Sequence, residues 1–265
     1  MLLENIIKPP APIFDTHAHY DDDAFDSIRE ELFKEMTALG VGKIINNATD
    51  LEGSAEKCLE MSRRFDFCLS AIGLHPGEVE RYGKTVDVPR LKQLCEDKSV
   101  VAVGEIGLDY HYSSDRKQLQ IEAFRSQMEV ANELGLPVII HDREAHADTF
   151  EAVKALRPKG TIHCFSGSKE LAQQYVDLGL YIGVGGVVTF KNSRKLVEVC
   201  EAIPLERILL ETDAPYLAPE PFRGKLCTSV HIYYTAAKIA EIKGVSLEQV
   251  LTATFKNAEE LYLNR

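Results

Sequence analysis

Three consecutive stretches decide the fold. They are Val100-Val101-Ala102-Val103-Gly104-Glu105-Ile106-Gly107-Leu108, the segment Gln118–Leu134, and Pro137-Val138-Ile139-Ile140-His141. The first and third are near-continuously apolar and rich in β-branched residues, which predicts strands covered on both faces. The middle segment places Leu119, Phe124, Met128, Val130, Ala131 and Leu134 largely on one stripe, and Gly135 then Pro137 stop it. That pattern predicts a helix. Strand, helix, strand with both strand faces covered is a parallel crossover unit.

The same unit recurs outward in both directions. Further apolar runs lie at Ile13–His19, Lys43–Ala48, Phe67–Leu74, Thr161–Phe165, Tyr181–Val184 and Arg207–Leu210, with helical segments at Lys169–Leu178 and Leu247–Leu263. Eight runs spaced about 20 to 37 residues apart leave room for a helix between each pair. The expectation is an α/β protein, a (β/α)8 TIM barrel. An open doubly wound sheet is the alternative, but no Gly-rich phosphate loop follows the first run. No Pro/Gly/Ser-rich linker or composition shift interrupts the chain, so residues 1–265 are expected to form one domain.

Composition narrows the class. The 265 residues are 45% hydrophobic and 27% charged, as in soluble globular proteins. Their net charge of −11 argues against a protein that wraps nucleic acid by charge alone. No run of about 18 apolar residues predicts a membrane span. Met1–Pro12 does not read as a secretory signal. The scattered cysteines, Cys58, Cys68, Cys95, Cys164, Cys200 and Cys227, predict reduced thiols and a cytoplasmic location.

The densest chemistry is Asp15-Thr16-His17-Ala18-His19. Residues two apart on a strand share a face, so His17 and His19 point the same way. Two adjacent imidazoles suit a divalent metal, and a hydrogen-bonded histidine pair is the other reading. Four more ionisable residues sit near the C-terminal ends of apolar runs: Glu105, His141, His163 and Asp213. In a (β/α)8 barrel those ends converge on one mouth. Four histidines, a glutamate and an aspartate together predict a two-metal site, able to polarise a phosphoryl group and acidify a water. Glu105 has two oxygens with which to bridge the ions. Asp213 is a candidate ligand and general base.

This arrangement resembles the TatD-type deoxyribonucleases of the metal-dependent hydrolase superfamily. The carriers, in order, are Phe14–His19, Ile72-Gly73-Leu74-His75-Pro76, Gly104–Tyr110, Leu136–His141, His163-Cys164-Phe165-Ser166-Gly167 and Leu210–Tyr216. Gln120, Phe124 and Gln127 also match. The resemblance covers nearly the whole chain. It implies a barrel hydrolase that binds two divalent ions and cleaves phosphodiester bonds in DNA, in an exonuclease-like manner. It also implies that His17, His19 and Asp213 hold one ion and His141 and His163 the other, with Glu105 between them. His75 fits the family's additional mouth histidine, a substrate-phosphate contact. No obligate protein partner is evident.

One segment departs from the family pattern. Arg223-Gly224-Lys225 is intact, but Leu226-Cys227-Thr228-Ser229 replaces residues expected to help line the substrate mouth. Substrate phosphates also need cations. Arg143 is the first candidate, with Arg223 and Lys225, and Lys191, Arg194 and Lys195 after the seventh run. His111, His146 and His231 fall outside the strand-end pattern and carry no expected metal role. Histidine-rich ligation favours Zn²⁺ or Mn²⁺, and the carboxylates keep Mg²⁺ open. Two other functions fit the sequence less well. A related hydrolase acting on a small-molecule ester or amide is one. Many such barrels carry a bridging lysine on the fourth strand, where this chain has Glu105 and no lysine. A non-catalytic metal or nucleic-acid binder is the other, but the ligand set is complete and the charge is acidic.

Overall fold

A computed structural model describes residues 3, 7–83, 85–111 and 115–264. Residues 1, 2 and 4–6 of the Met1–Pro12 segment therefore lie outside the described residues. In chain order the elements are β1 (Ile13–Ala18), α1 (Arg29–Ala38), β2 (Val41–Asn47), α2 (Gly53–Arg64), β3 (Cys68–Ile72), α3 (Pro76–Tyr82), α4 (Val88–Leu94), β4 (Val100–Asp109) and α5 (Lys117–Leu134). They continue with β5 (Val138–Arg143), α6 (His146–Leu156), β6 (Gly160–Ile162), α7 (Lys169–Asp177), β7 (Tyr181–Val184), α8 (Arg194–Ala202), β8 (Ile208–Leu210), α9 (Ile232–Lys243) and α10 (Leu247–Tyr262). Among the described residues no helix is long and apolar enough to cross a membrane.

Each strand pairs in parallel with the next, in the order β1 to β8. The barrel closes beyond the end of β8. Asp213 N donates to His17 O at 2.9 Å, His19 N donates to Ala214 O at 2.7 Å, and Ala18 bridges Ala214 in parallel. The seam that shuts the barrel therefore also fixes His17 and His19 beside Asp213. The expected (β/α)8 barrel is the fold.

The apolar runs read as continuous because the strands bury both faces. One core cluster draws Phe14, Ile45, Ala71, Val101, Ile139, Tyr181 and Leu209 from seven strands, and Ala258 and Tyr262 of α10 complete it. These side chains pack together as an apolar floor, where a fully buried Phe, Ile, Val or Leu contributes about 1.5–3 kcal/mol. The larger cluster packs the outer strand faces against the helices. Local signals set the helix ends. Gly135 stops α5 at a left-handed φ of 67°. Ser246 and Gln249 cap α10 reciprocally.

Candidate metal centre

The strand pleat supplies part of the constellation. Ile139 and Leu209 lie in the apolar floor. Two residues further along their strands stand His141 and Glu211, at the C-terminal side of the barrel. β1 does not keep this period. Its register slips between Asp15 and Ala18, which lets His17 join the interior that Phe14 occupies three residues earlier. β4 has a similar irregularity between Val103 and Ile106, at Glu105. The sequence reads this run over Val100–Leu108, with Glu105 near its end. In the structure β4 continues to Asp109, because Ile106 and Leu108 pair with Ile140 and Asp142 of β5.

The six expected residues converge on Glu105. His17 Nε2 and His19 Nε2 lie 3.1 Å apart. Glu105 Oε2 is 3.4 Å from the first and 3.5 Å from the second, and Asp213 Oδ1 is 3.7 and 3.3 Å from them. A tetrahedral ion with bonds of about 2.0–2.1 Å has ligand–ligand edges of about 3.3–3.4 Å. Five of the six edges among these four atoms lie near that value, and His17, His19 and Asp213 form one group able to hold a divalent cation. The other oxygen, Glu105 Oε1, lies 2.8 Å from His141 Nδ1 and 3.8 Å from His163 Nε2. His75 Nε2 is also 3.8 Å from it. The two carboxylate oxygens thus face two donor groups, which meet where His163 Nε2 lies 3.9 Å from Asp213 Oδ1.

The electrostatics are those of a site built for positive charge. Burial disfavours ionised Glu105, but the imidazoles of His17, His75 and His141 hold its carboxyl well below the usual range. Burial also disfavours protonated His19 and His141. Asp213 and Glu105 outweigh it at His19, and Asp109 and Glu105 at His141, pushing both up to about 10. Burial and the neighbouring His163 ring, stacked at 3.5 Å, keep His17 below its ordinary value. A divalent ion would take the place of the protons that this carboxylate field otherwise attracts.

Sequence reading gave no role to the residues that orient these side chains. Asp109 Oδ2 lies 3.1 Å from His141 Nε2, leaving Nδ1 to face Glu105. Glu211 Oε1 lies 3.2 Å from His163 Nδ1 and accepts from Cys164 N at 2.6 Å. Asn47 O is 2.9 Å from His19 Nδ1. Gly183 makes room for this shell, since a Cβ there would meet Glu211 Oε2 at 2.3 Å. Gly107, at φ 146°, lies so close to β5 that a Cβ would reach His141 O at 1.9 Å. Asp15 is buried and accepts from His17 N, Thr212 N, Thr212 Oγ1 and Ser229 Oγ at 3.2, 3.1, 2.7 and 2.7 Å. Burial pushes it up to about 7, while the four donors favour its ionised form. It ties β1 to the segment that carries Asp213.

Outer partners of this kind typically alter metal affinity or activity by about 10–100-fold. We expect Asp109→Asn and Glu211→Gln each to weaken metal retention within that range, with the fold intact. Competition against a graded chelator series measures it, and unchanged retention in both variants would contradict the orienting role.

The site opens into a cavity of about 1070 Å³ lined by His19, His75, Glu105, His141, His163 and Asp213, with Arg143 at its edge. His75 also caps α3. Its Nδ1 accepts from Gly77 N at 3.0 Å, so its proton sits on Nε2, facing Glu105. Burial holds its pKa down to about 4, which keeps it a neutral donor. Arg223 and Lys225 do not line the cavity. Arg223 lies over the Phe190 ring at 4.4 Å, and Lys225 over Phe222 at 5.6 Å. Nor do Leu226–Ser229 line it. Cys227, Thr228 and Ser229 are buried behind the site, where Ser229 serves Asp15. The segment that departs from the family pattern therefore lies beside Asp15 rather than at the mouth. His111, His146 and His231 pair with Glu144, Asp142 and Thr228, outside the ligand set.

Comparison with known proteins gives a consistent result. The family described as TatD related DNase matches residues 14–263. The chain is 39% identical to the metal-dependent hydrolase YabD of Bacillus subtilis over 94% of its own length and 98% of that protein. It is 34% identical to the metal-dependent hydrolase YcfH of Escherichia coli, over 94% of this chain and 95% of that one. The crystal structure of YjjV, a TatD homolog from Escherichia coli, superposes with a TM-score of 0.87 at 33% identity, covering 96% of this chain and 98% of that one.

Proposed function

The chain belongs to the TatD related DNase family and is a metal-dependent hydrolase, and from that premise we propose that it hydrolyses phosphodiester bonds in DNA with two divalent cations. His17, His19, Asp213 and Glu105 Oε2 would hold one ion. His141 Nδ1, His163 Nε2 and Glu105 Oε1 would hold the other. The observation that carries this reading is the set of five donor–donor distances of 3.1–3.7 Å among His17, His19, Glu105 and Asp213. Zn²⁺ and Mn²⁺ fit the histidine-rich donors best, and Mg²⁺ fits the carboxylates. When bound, the ions supply Lewis acidity toward a phosphoryl oxygen and make water more acidic.

The chain's own groups carry the remaining steps. Asp213 is ionised, because hydrogen bonding from His19 and the nearby imidazoles overcome the effect of burial. It accepts the proton as the water oxygen bonds to phosphorus and the ester P–O bond breaks. The proton held by Asp213 then passes to the leaving oxygen, which departs as the alcohol and restores the carboxylate. His75, a neutral Nε2–H donor, and Arg143 at the cavity edge would hold the non-bridging phosphate oxygens. Arg223 and Lys225, outside the cavity, would reach only phosphates further along a strand. An acidic mouth whose lining, among the described residues, holds only Arg81 and Arg143 as cations can contact few phosphates, which suits attack at the end of a strand, so exonuclease-like action is the expected mode.

Single- and double-stranded DNA labelled at the 5′ or the 3′ end tests this reading after metal loading. Stepwise shortening from one end is the expected product pattern. Hydrolysis of a dihydropyrimidine or a simple ester, with DNA left whole, would favour the small-molecule alternative.

A further inference from the structure

The lip of the cavity carries an aromatic ring that the metal chemistry does not use. Tyr216 is 55% exposed and Leu217 37% exposed, and both line the cavity. Large apolar side chains so exposed are uncommon in this chain, and these two are adjacent. The ring is held in place. Tyr216 OH donates to Asp22 Oδ2 at 2.9 Å across the mouth, and Tyr216 N donates to Asp213 O at 2.8 Å. Leu217 keeps a left-handed φ of 53°, a strained conformation for leucine and one that folds retain mainly at working sites.

Charge shows why such a ring would matter. Among the described residues lining the cavity, Asp21, Asp22, Asp23, Glu78 and Asp142 add to Glu105 and Asp213, against the cations Arg81 and Arg143. A mouth this acidic gains little affinity for a polyanion from its own side chains beyond the scissile phosphate. Binding there must come from uncharged surface. Tyr216 is the one aromatic ring other than histidine in that lining, and Leu217 the one aliphatic side chain.

We infer that Tyr216, backed by Leu217, is a stacking platform for the nucleobase next to the scissile phosphate. This rests on the proposed nuclease reading and adds a subsite to it. The platform would recognise a planar base by its face, so it would tolerate any sequence and discriminate against a nucleotide that has no base. Asp22 acts through Tyr216 as a positioning residue, fixing the ring by its hydroxyl.

The test uses the metal-loaded full chain and short oligonucleotides. One has normal bases throughout, and matched versions carry a tetrahydrofuran abasic residue on one or the other side of the cleaved bond. Wild type should favour the normal substrate in kcat/KM by about 5- to 150-fold, the range expected for one stacked base. Tyr216→Ala should collapse that ratio toward one, and Tyr216→Phe should keep most of it. An equal loss on both substrates in Tyr216→Ala, with the ratio intact, would mean that the ring only braces the Asp213 turn, and it would overturn the subsite. An unchanged ratio and rate in Tyr216→Ala would also overturn it. Failure of wild type to cleave any oligonucleotide would sink the nuclease reading, and the subsite with it. Cleavage with an unaltered ratio would sink the subsite alone.

Discussion

Glu105→Gln is expected to lower turnover by more than about 100-fold, beyond what loss of an outer partner causes, and to leave the chain unable to retain two ions. Its two oxygens face different donor groups: Oε2 toward His17 and His19 at 3.4 and 3.5 Å, and Oε1 toward His141 at 2.8 Å. Glutamine keeps the shape but puts an NH2 where one oxygen meets ring nitrogens, and it removes the central negative charge. The neighbouring carboxylates have other partners: Asp213 faces His17 and His19, Asp109 His141 Nε2, and Glu211 His163 Nδ1. Near-neutral volume change should preserve the fold, which circular dichroism and a melting curve check. Wild-type turnover with two ions retained would remove Glu105 from the centre of the account.

Asp213→Asn separates two roles. Loss of a general base typically costs about 10²–10⁴-fold in rate, and we expect a fall in kcat of that size that excess metal does not restore. Asparagine keeps an oxygen that can face His17 and His19, so a residue that served only as a ligand would be largely rescued by added metal. The backbone here is held independently of the side chain, by Asp213 N to His17 O at 2.9 Å and by the Thr212–Asp15 bonds. Full activity at saturating metal would contradict the base assignment.

Much of this was legible in the sequence because a barrel buries both faces of every strand. Val138–Ile140 and Ile208–Leu210 are strands in the sequence for the reason they are strands in the fold, with no polar alternation to confuse them. His17, His19, Glu105, His141, His163 and Asp213 stood out because ionisable residues at the ends of such runs need a cause. The orienting residues did not stand out. Asp109 lies 32 residues from the histidine it fixes, and Glu211 serves a histidine two strands away. These pairings depend on the register between strands, which apolar periodicity does not encode. The β1 slip that lets His17 join the interior is equally silent, since Asp15–Ala18 reads as ordinary strand. The family resemblance implies a place at the mouth for the Leu226–Ser229 segment. It folds behind the site instead, since Ser229 has a buried carboxylate, Asp15, to satisfy.

The most direct test of the central claim is the rate of cleavage of end-labelled DNA by metal-stripped protein, as Zn²⁺, Mn²⁺ or Mg²⁺ is added back in measured equivalents per chain. The expected result is no cleavage in chelator and a rise that saturates at two bound ions per chain. Full cleavage in chelator, or none with any of the three metals at two bound ions per chain, would contradict it.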